Sequence, residues 1–312
     1  LTGCKAVKLD SAVEIKKAPN LPVGIYEMGY ATDGKIIFSI GGNTFLGYLK
    51  QPVGEIYLYS PFGGEWQKGR FTDKPIVKGP ASSVYIPATN SIISTGFIDI
   101  QKGDLYTFPL ELLDLNTYRI NYIRTNPHWA QGSGAVEWND KMYVFGGVVF
   151  KVDGSSSYSS RLISYDPVTG EWEDLKPMPT ARMTSGVVVG NSLYTIGGFD
   201  GKHHYADIFR YDFEADYWEL IGYLPYPASY FSIASKYPYV FLSTIGNNKN
   251  IIGRIDIRDG SFSEFPTWLT VTTPGSAIIG DKLYIFGGSW DDGKTASNKT
   301  FIIDLAELMV EK

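Results

Sequence analysis

Cysteine is almost absent from this chain: its single residue, Cys4, excludes an internal disulfide and any cysteine-based metal cluster. Histidine is scarce too, at three residues. Of these, His203 and His204 are adjacent and would point to opposite sides of a strand, with no spaced third histidine to complete a ligand set, so no metal site is expected. Lysine and arginine form no block and the net charge is -5. That argues against a nucleic-acid groove, because neutralising phosphates requires clustered cations. No apolar run approaches the length of a membrane span. Nor is there a nucleophile–base signature, a phosphate-cradling glycine loop or a dinucleotide fingerprint, since the glycines end strands that turn into loops and not helices. No cofactor is expected.

What the chain does have is a repeat. Three clean copies run from an apolar stretch to a glycine doublet and on to a Tyr and a Trp: Ile40-Gly41-Gly42 with Tyr59 and Trp66, Phe145-Gly146-Gly147 with Tyr165 and Trp172, and Ile196-Gly197-Gly198 with Tyr211 and Trp218. In each, six residues separate Tyr from Trp. Two eroded copies carry Gly96-Phe97 with Leu113 and Ile120, and Ser243-Thr244 with Ile255 and Phe262. A last copy, Phe286-Gly287-Gly288 with Ile303-Asp304, reaches no Trp. The second doublet positions are spaced by 55, 50, 51, 46 and 44 residues. Strands without helices at such a period predict an all-β propeller of six four-stranded antiparallel blades.

The sixth Trp position is supplied from the other end of the sequence. Val13-Glu14-Ile15 leads to Leu21-Pro22 with the same count as Trp218-Glu219-Leu220 to Pro227, so Val13 to Pro22 is expected to provide the outer strand of the last blade. Closing the ring in this way removes an open sheet edge. Residues 13–312 then form a single domain and residues 1–12 an N-terminal tether. With 44% hydrophobic and 15% aromatic residues the chain can bury the core such a ring needs.

These residues resemble the Kelch family, whose repeat is a glycine doublet, a spaced Tyr-Asp and a Trp. The best single stretch runs from Thr180-Ala181-Arg182 through Gly197-Gly198-Phe199-Asp200-Gly201 to Tyr211-Asp212 and Trp218. The cysteine-tyrosine crosslink of the Kelch-containing galactose oxidases is excluded by the lone Cys4. Leu1-Thr2-Gly3-Cys4 looks like a bacterial lipobox, which implies lipidation at Cys4 and an extracytoplasmic, membrane-anchored location. The alternative is a chance match over four residues.

In an up-and-down blade with strands a to d counted outward, the b–c and d–a connections share one face. The a–b turns of the other face are short here, for example Gly190-Asn191-Ser192. From doublet to Tyr position the lengths are 17, 16, 18, 13, 11 and 15, so the first three blades carry the longer b–c loops, and a pocket near the axis walled by those blades is expected. Tyr48, Trp129, Tyr230, Trp268 and Trp290 map to this face, where exposed rings suit sugar stacking or peptide anchoring, or else pack beneath loops. Titratable residues of the same rim include Glu27, Asp99, Asp104, His128, Asp153, Arg182, Asp200, His203, His204, Asp291 and Asp292. Arg182 stands where Kelch-like adaptor propellers place arginines that bind partner carboxylates, although an ion pair with a neighbouring loop explains it equally well.

The first functional expectation is a binding propeller, monomeric, that recognises a glycan or a protein loop on the b–c/d–a face. The second follows the bacterial sialic acid mutarotases, six-bladed Kelch propellers. Glu27, His128 and Arg182 would then serve as base, acid and carboxylate anchor in acid–base assisted ring opening. A third, an adaptor resembling the Kelch-like ubiquitin ligase subunits, ranks last.

Overall fold

The computed structural model describes residues 7–8, 12–71, 78–97, 110–123, 125–151, 153–245, 250–291 and 294–310. Cys4, Asp99, Asp104 and Asp292 lie outside them.

The fold is an all-β propeller of six blades, each built on an antiparallel sheet of four strands, joined in sequence order in the first five. Blade one comprises Gly29–Thr32, Ile37–Ile40, Ile56–Ser60 and Glu65–Lys68, and blade two Lys78–Ile86, Ser91–Phe97, Leu110–Asp114 and Arg119–Ile123. Blade three is Gly134–Trp138, Lys141–Phe145, Leu162–Tyr165 and Trp172–Leu175, and blade four is Met183–Val189, Ser192–Phe199, His204–Asp212 and Tyr217–Tyr223. Blade five runs Ser232–Lys236, Tyr239–Ile245, Ile251–Asp256 and Phe262–Pro266. Blade six takes Gly275–Ile279, Lys282–Phe286 and Thr300–Asp304 from the C-terminal side and Lys16–Ala18 from the N-terminal side. The first strand of every blade contacts the first strands of both neighbours, and the ring closes between blades six and one.

The closing strand falls within the expected segment, with a register of its own. Lys16 pairs with Ile302 and Ala18 with Thr300. Extending that ladder by one residue sets Ile15 opposite Ile303, not Val13 as counting from Pro22 implies. A shift of two residues keeps the same side chains facing inward, so the pattern alone does not distinguish the registers. Val13 instead donates its N–H to the Pro266 carbonyl at 3.2 Å and is buried among Phe265, Leu305 and Leu308 between blades five and six. Val7–Lys8, inside the segment expected to be a tether, pairs in parallel with Ser263 and Glu264 and gives blade five a fifth strand.

The core is divided among the six seams between neighbouring blades, with one buried apolar cluster in each. The repeat residues fill these seams. Tyr211 and Trp218 of blade four sit against Tyr143 and Phe145 of blade three, and the Trp218 indole N–H donates to the Lys176 carbonyl at 2.8 Å. Tyr59 and Trp66 of blade one meet Tyr284 and Phe286 of blade six, with Trp66 donating to Thr300 Oγ1 at 2.9 Å. Trp172 reaches Thr125 Oγ1 in the same manner at 3.1 Å. In the eroded repeats, Leu113 and Ile120 fill the seam with blade one, and Ile255 and Phe262 that with blade four. Trp66 and Trp218 bury their rings and Trp172 partly so, and each satisfies its one donor on the preceding blade, which aliphatic replacements cannot do.

The doublets hold the following blade. Gly147, Gly198 and Gly288 donate their N–H groups to the carbonyls of Arg182, Ala228 and Ile25, the residues that lead into the next inner strand, at 2.8 to 3.0 Å. The first glycines explain why no other residue serves. A Cβ on Gly146 would lie 2.4 Å from the Arg182 carbonyl oxygen and one on Gly197 would lie 2.3 Å from that of Ala228, at φ of 65° and 53°.

Candidate functional site

The inner strands surround a cavity of about 650 Å³ on the propeller axis. Glu27, Gly132, Met183, Tyr230 and Thr273 lead into the inner strands at one end, and Thr32, Pro87, Glu137 and Val188 mark the other, beside the short a–b turns. All six blades contribute, so the pocket is axial, as expected, but not confined to the walls of blades one to three. The long b–c connections of blades one and three form separate two-stranded hairpins, Asn43–Leu46 with Leu49–Pro52 and Val148–Phe150 with Ser156–Tyr158.

The loop-face mouth is built from residues in unusual backbone geometry. Tyr230, Thr273 and Glu27 precede the inner strands of blades five, six and one, and have φ of 62°, 48° and 56°. Side chains other than glycine avoid this left-handed region, and a β-branched residue such as Thr273 avoids it most. A chain of backbone hydrogen bonds holds them there: Thr273 N–H to the Tyr230 carbonyl at 2.9 Å, Glu27 N–H to that of Thr273 at 3.4 Å, and Ala81 N–H to that of Glu27 at 3.1 Å. Such strain persists where the surroundings over-determine it, and it concentrates at ligand sites.

Side chains at the mouth divide into an acidic and an aromatic part. Glu27 Oε2 accepts from Asn43 Nδ2 at 2.9 Å and from Lys50 Nζ at 3.0 Å, and the Lys50 ammonium lies 5.2 Å over the Tyr26 ring. On the other side Phe199 stacks on His204 at 4.6 Å, and Tyr230 stands 6.3 Å from both rings. Tyr158, from the blade-three hairpin, closes on Phe199 edge-on at 6.3 Å. His204 Nδ1 is 2.7 Å from Ser229 Oγ. Burial pushes the Tyr230 hydroxyl pKa up, and the nearby Tyr158 and Glu27 push it the same way. Tyr230 is nevertheless 49% exposed, so its ring is available to a ligand.

Of the residues singled out in the sequence, Glu27 and Tyr230 meet at the cavity. His128 does not reach it. It is 3% exposed and its Nε2–H donates to the Gly146 carbonyl at 2.7 Å. Burial lowers its pKa to about 4, so it is neutral near pH 7. Arg182 is 1% exposed, with Nη1 2.5 Å from Asp207 Oδ1 and its guanidinium 4.7 Å over the Tyr205 ring. The two form a buried ion pair in which the Arg182 charge offsets the cost of burying the carboxylate. Burial raises the Asp207 pKa and Arg182 opposes that rise. The doublet contacts place Arg182 at the position that Ile25 and Ala228 hold in the repeats of blades one and five, so no arginine recurs there.

The other aromatic candidates are dispersed. Tyr48 is fully exposed on the blade-one hairpin, and Trp129, 49% exposed, donates its indole N–H to the Asn126 carbonyl at 3.1 Å. Trp268 and Trp290 come together, both edge-on to Phe301 at 5.2 and 6.3 Å, away from the axial cavity. Sequence reasoning placed His204 on this rim but missed Phe199 beside it as a mouth residue. A signal was present: Phe199 follows the doublet directly, and Asp200-Gly201 is a turn that pairs Phe199 with His204. His203 turns the other way onto Asp200, whose carboxyl is held well below the usual range by the His203 N–H and then the Tyr205 hydroxyl. No group of three metal-ligating side chains occurs among the described residues.

Six blades, with glycine doublets clasping the next blade at three of the seams and Tyr–Trp pairs filling three of them, are the arrangement the repeat implied, and residues 29–243 match the sequence model of the KLHDC2/KLHL20/DRC7 Kelch-repeats domain. The chain belongs to the Kelch-repeat family. This Kelch propeller is 25% identical over 198 residues to Kelch-like protein 23 of Homo sapiens, a match covering 62% of the chain and 32% of that protein. It is 33% identical over 192 residues to Kelch-like protein 36 of Bos taurus, covering 60% and 29%. With Kelch-like protein 34 of Homo sapiens it shares 24% identity over 225 residues, covering 69% and 34%. The chain spans about a third of the length of these curated relatives.

Proposed function

We infer that this Kelch propeller is a protein-binding scaffold that takes a segment of a partner protein into the loop-face mouth of its axial cavity. One observation carries the reading: a half-exposed Tyr230, held at a strained φ of 62°, stands beside Phe199 and His204 at the opening of a cavity of about 650 Å³. A rigid aromatic anchor at a preformed concave site is what concentrates binding energy in protein interfaces. A protein segment is favoured over a glycan because the tryptophans suited to sugar stacking are spread around the rim and none lines the cavity. Sugar epimerisation has less support, since of Glu27, His128 and Arg182 only Glu27 lines it.

Panning a displayed library of random linear peptides on the full chain tests the reading. Binders should lose at least about 10-fold in affinity on Tyr230→Ala, the size of a typical anchor residue. They should be unchanged by Trp268→Ala. Binders indifferent to Tyr230→Ala, or a glycan array giving Tyr230-dependent signal where no peptide does, would overturn it. From Leu1-Thr2-Gly3-Cys4 we also propose an extracytoplasmic, Cys4-lipidated location. Labelling with a palmitate analogue checks that, and absence of label would remove it.

A further inference from the structure

We propose that the segment bound at the mouth inserts a cationic side chain, lysine or arginine, into the axial cavity, with Glu27 as its counter-charge and Tyr230 as the ring beside it. This rests on the binding reading above and adds the chemistry of the ligand.

The first support is charge. Among the described residues that line the cavity only two are charged, Glu27 at the loop-face mouth and Glu137 at the far end, and both are acidic. Among the described residues no lysine or arginine lines the wall itself; Lys50, outside the lining, reaches Glu27 alone of the two, and Glu137 has no salt bridge. A low-dielectric channel with one sign of charge focuses its field along the axis and favours the opposite sign. Glu137 is partly held by the Asp140 N–H at 2.8 Å, and burial raises its pKa. A cation arriving from the mouth meets Glu27 first.

The second support is the state of the Glu27 carboxylate. Oε2 is taken by Asn43 and Lys50, whereas Oε1 accepts no hydrogen bond among the described residues. Lys50 is thus a resident competitor on one oxygen and leaves the other open. Its side chain is 51% exposed, so it can swing into solvent when a ligand's cation arrives.

The third support is the polarity of the wall. Ser82 Oγ donates to the Ser133 carbonyl at 2.8 Å, and Thr184 Oγ1 lies within 3.0 and 3.1 Å of the Ile196 and Gly197 carbonyls. These hydroxyls spend their one hydrogen on the backbone and keep only acceptor capacity for a ligand. Acceptors of this kind suit an ammonium with three donors or a guanidinium with five, and offer nothing to a carboxylate, which brings no donor. The ring of Tyr230, with Phe199 beside it, adds a face on which a cation and its alkyl stem can rest.

The test uses the full chain and the Tyr230-dependent peptides from the panning above. They should share a lysine or arginine, and replacing it with methionine should weaken binding on the order of 10- to 100-fold, as expected for a charge-assisted contact. Glu27→Gln should cost the basic peptide a similar factor and the methionine version nothing. Lys50→Met should tighten binding of the basic peptide, because it removes the competitor. Arginine and lysine versions compared side by side identify which cation fits. Tyr230-dependent binders that carry no basic residue, or a basic peptide bound equally by wild type and Glu27→Gln, overturn this inference and leave the binding reading standing. A library yielding no Tyr230-dependent binder overturns both.

Discussion

In the seam between blades three and four, Tyr211, Trp218, Tyr143 and Phe145 are buried together and the Trp218 N–H finds a carbonyl on the preceding blade. At the mouth of the axial cavity, rings of the same kind, Tyr230, Phe199 and His204, are held near one another but left partly open. The seam repeats around the ring and the mouth does not. Seam residues answer to a neighbour of fixed shape, so the same residue types recur in register. Mouth residues face the axis, where no neighbouring blade dictates them, and five of the blades each contribute something different: Glu27, Gly132, Met183, Tyr230 and Thr273. Stability and recognition are thereby separated on one scaffold, as expected where function is carried by loops on a rigid frame.

The comparison can be broken most directly in the seam. Trp218→Ala should destabilise the fold by about 4 kcal/mol, from lost burial, a cavity and an unpaired Lys176 carbonyl. Urea unfolding reads this, and a loss under ~1 kcal/mol would mean the seam is not the stabilising unit. His128 sharpens the picture through pH. Its folded pKa, about 4, lies below its unfolded value, so the stability it contributes is complete above about pH 6.5 and is lost as pH falls toward 4. Between pH 7 and 4 the wild type should lose roughly 3 kcal/mol more than His128→Leu, measured as the difference in urea stability at each pH. Gly197→Ala brings a Cβ to 2.3 Å from the Ala228 carbonyl oxygen at a positive φ and should cost about 2 kcal/mol. A thermal shift near zero would show that the doublet tolerates side chains. The smallest effect belongs to the mouth: Tyr230→Ala should alter stability by less than about 1 kcal/mol while removing peptide binding. A large loss of stability there would erase the distinction between mouth and seam.

Much of this was legible in the repeat. The doublet, Tyr and Trp positions predicted six four-stranded blades, and the missing sixth Trp position pointed to the N-terminal segment as the closing strand. The register of that strand was less legible, because Ile15 and Val13 stand on the same side of the chain and a two-residue shift preserves the hydrophobic pattern. The parallel pairing of Val7–Lys8 with blade five left no trace, since two residues are too few to show a period. At the site, Glu27 and Tyr230 were identified by their position before inner strands. His128 and Arg182 occupy comparable connections, yet their side chains turn into the body, toward the Gly146 carbonyl and Asp207. Position along a blade places the backbone of a connection; it does not say which way a side chain leaves it.

The sequence by itself determined the propeller, its blade count, its closure and the face that carries the longer loops, because those depend on residue types recurring at fixed intervals and on strands that need a buried partner. Only the tertiary structure decided which polar residues meet at the axis. Glu27 is one of two charged residues lining the cavity among the described residues because a left-handed backbone turns it there, and Arg182 is withdrawn because a buried carboxylate from its own blade pairs with it. Those outcomes depend on contacts between residues far apart in the chain, and no interval within one repeat encodes them.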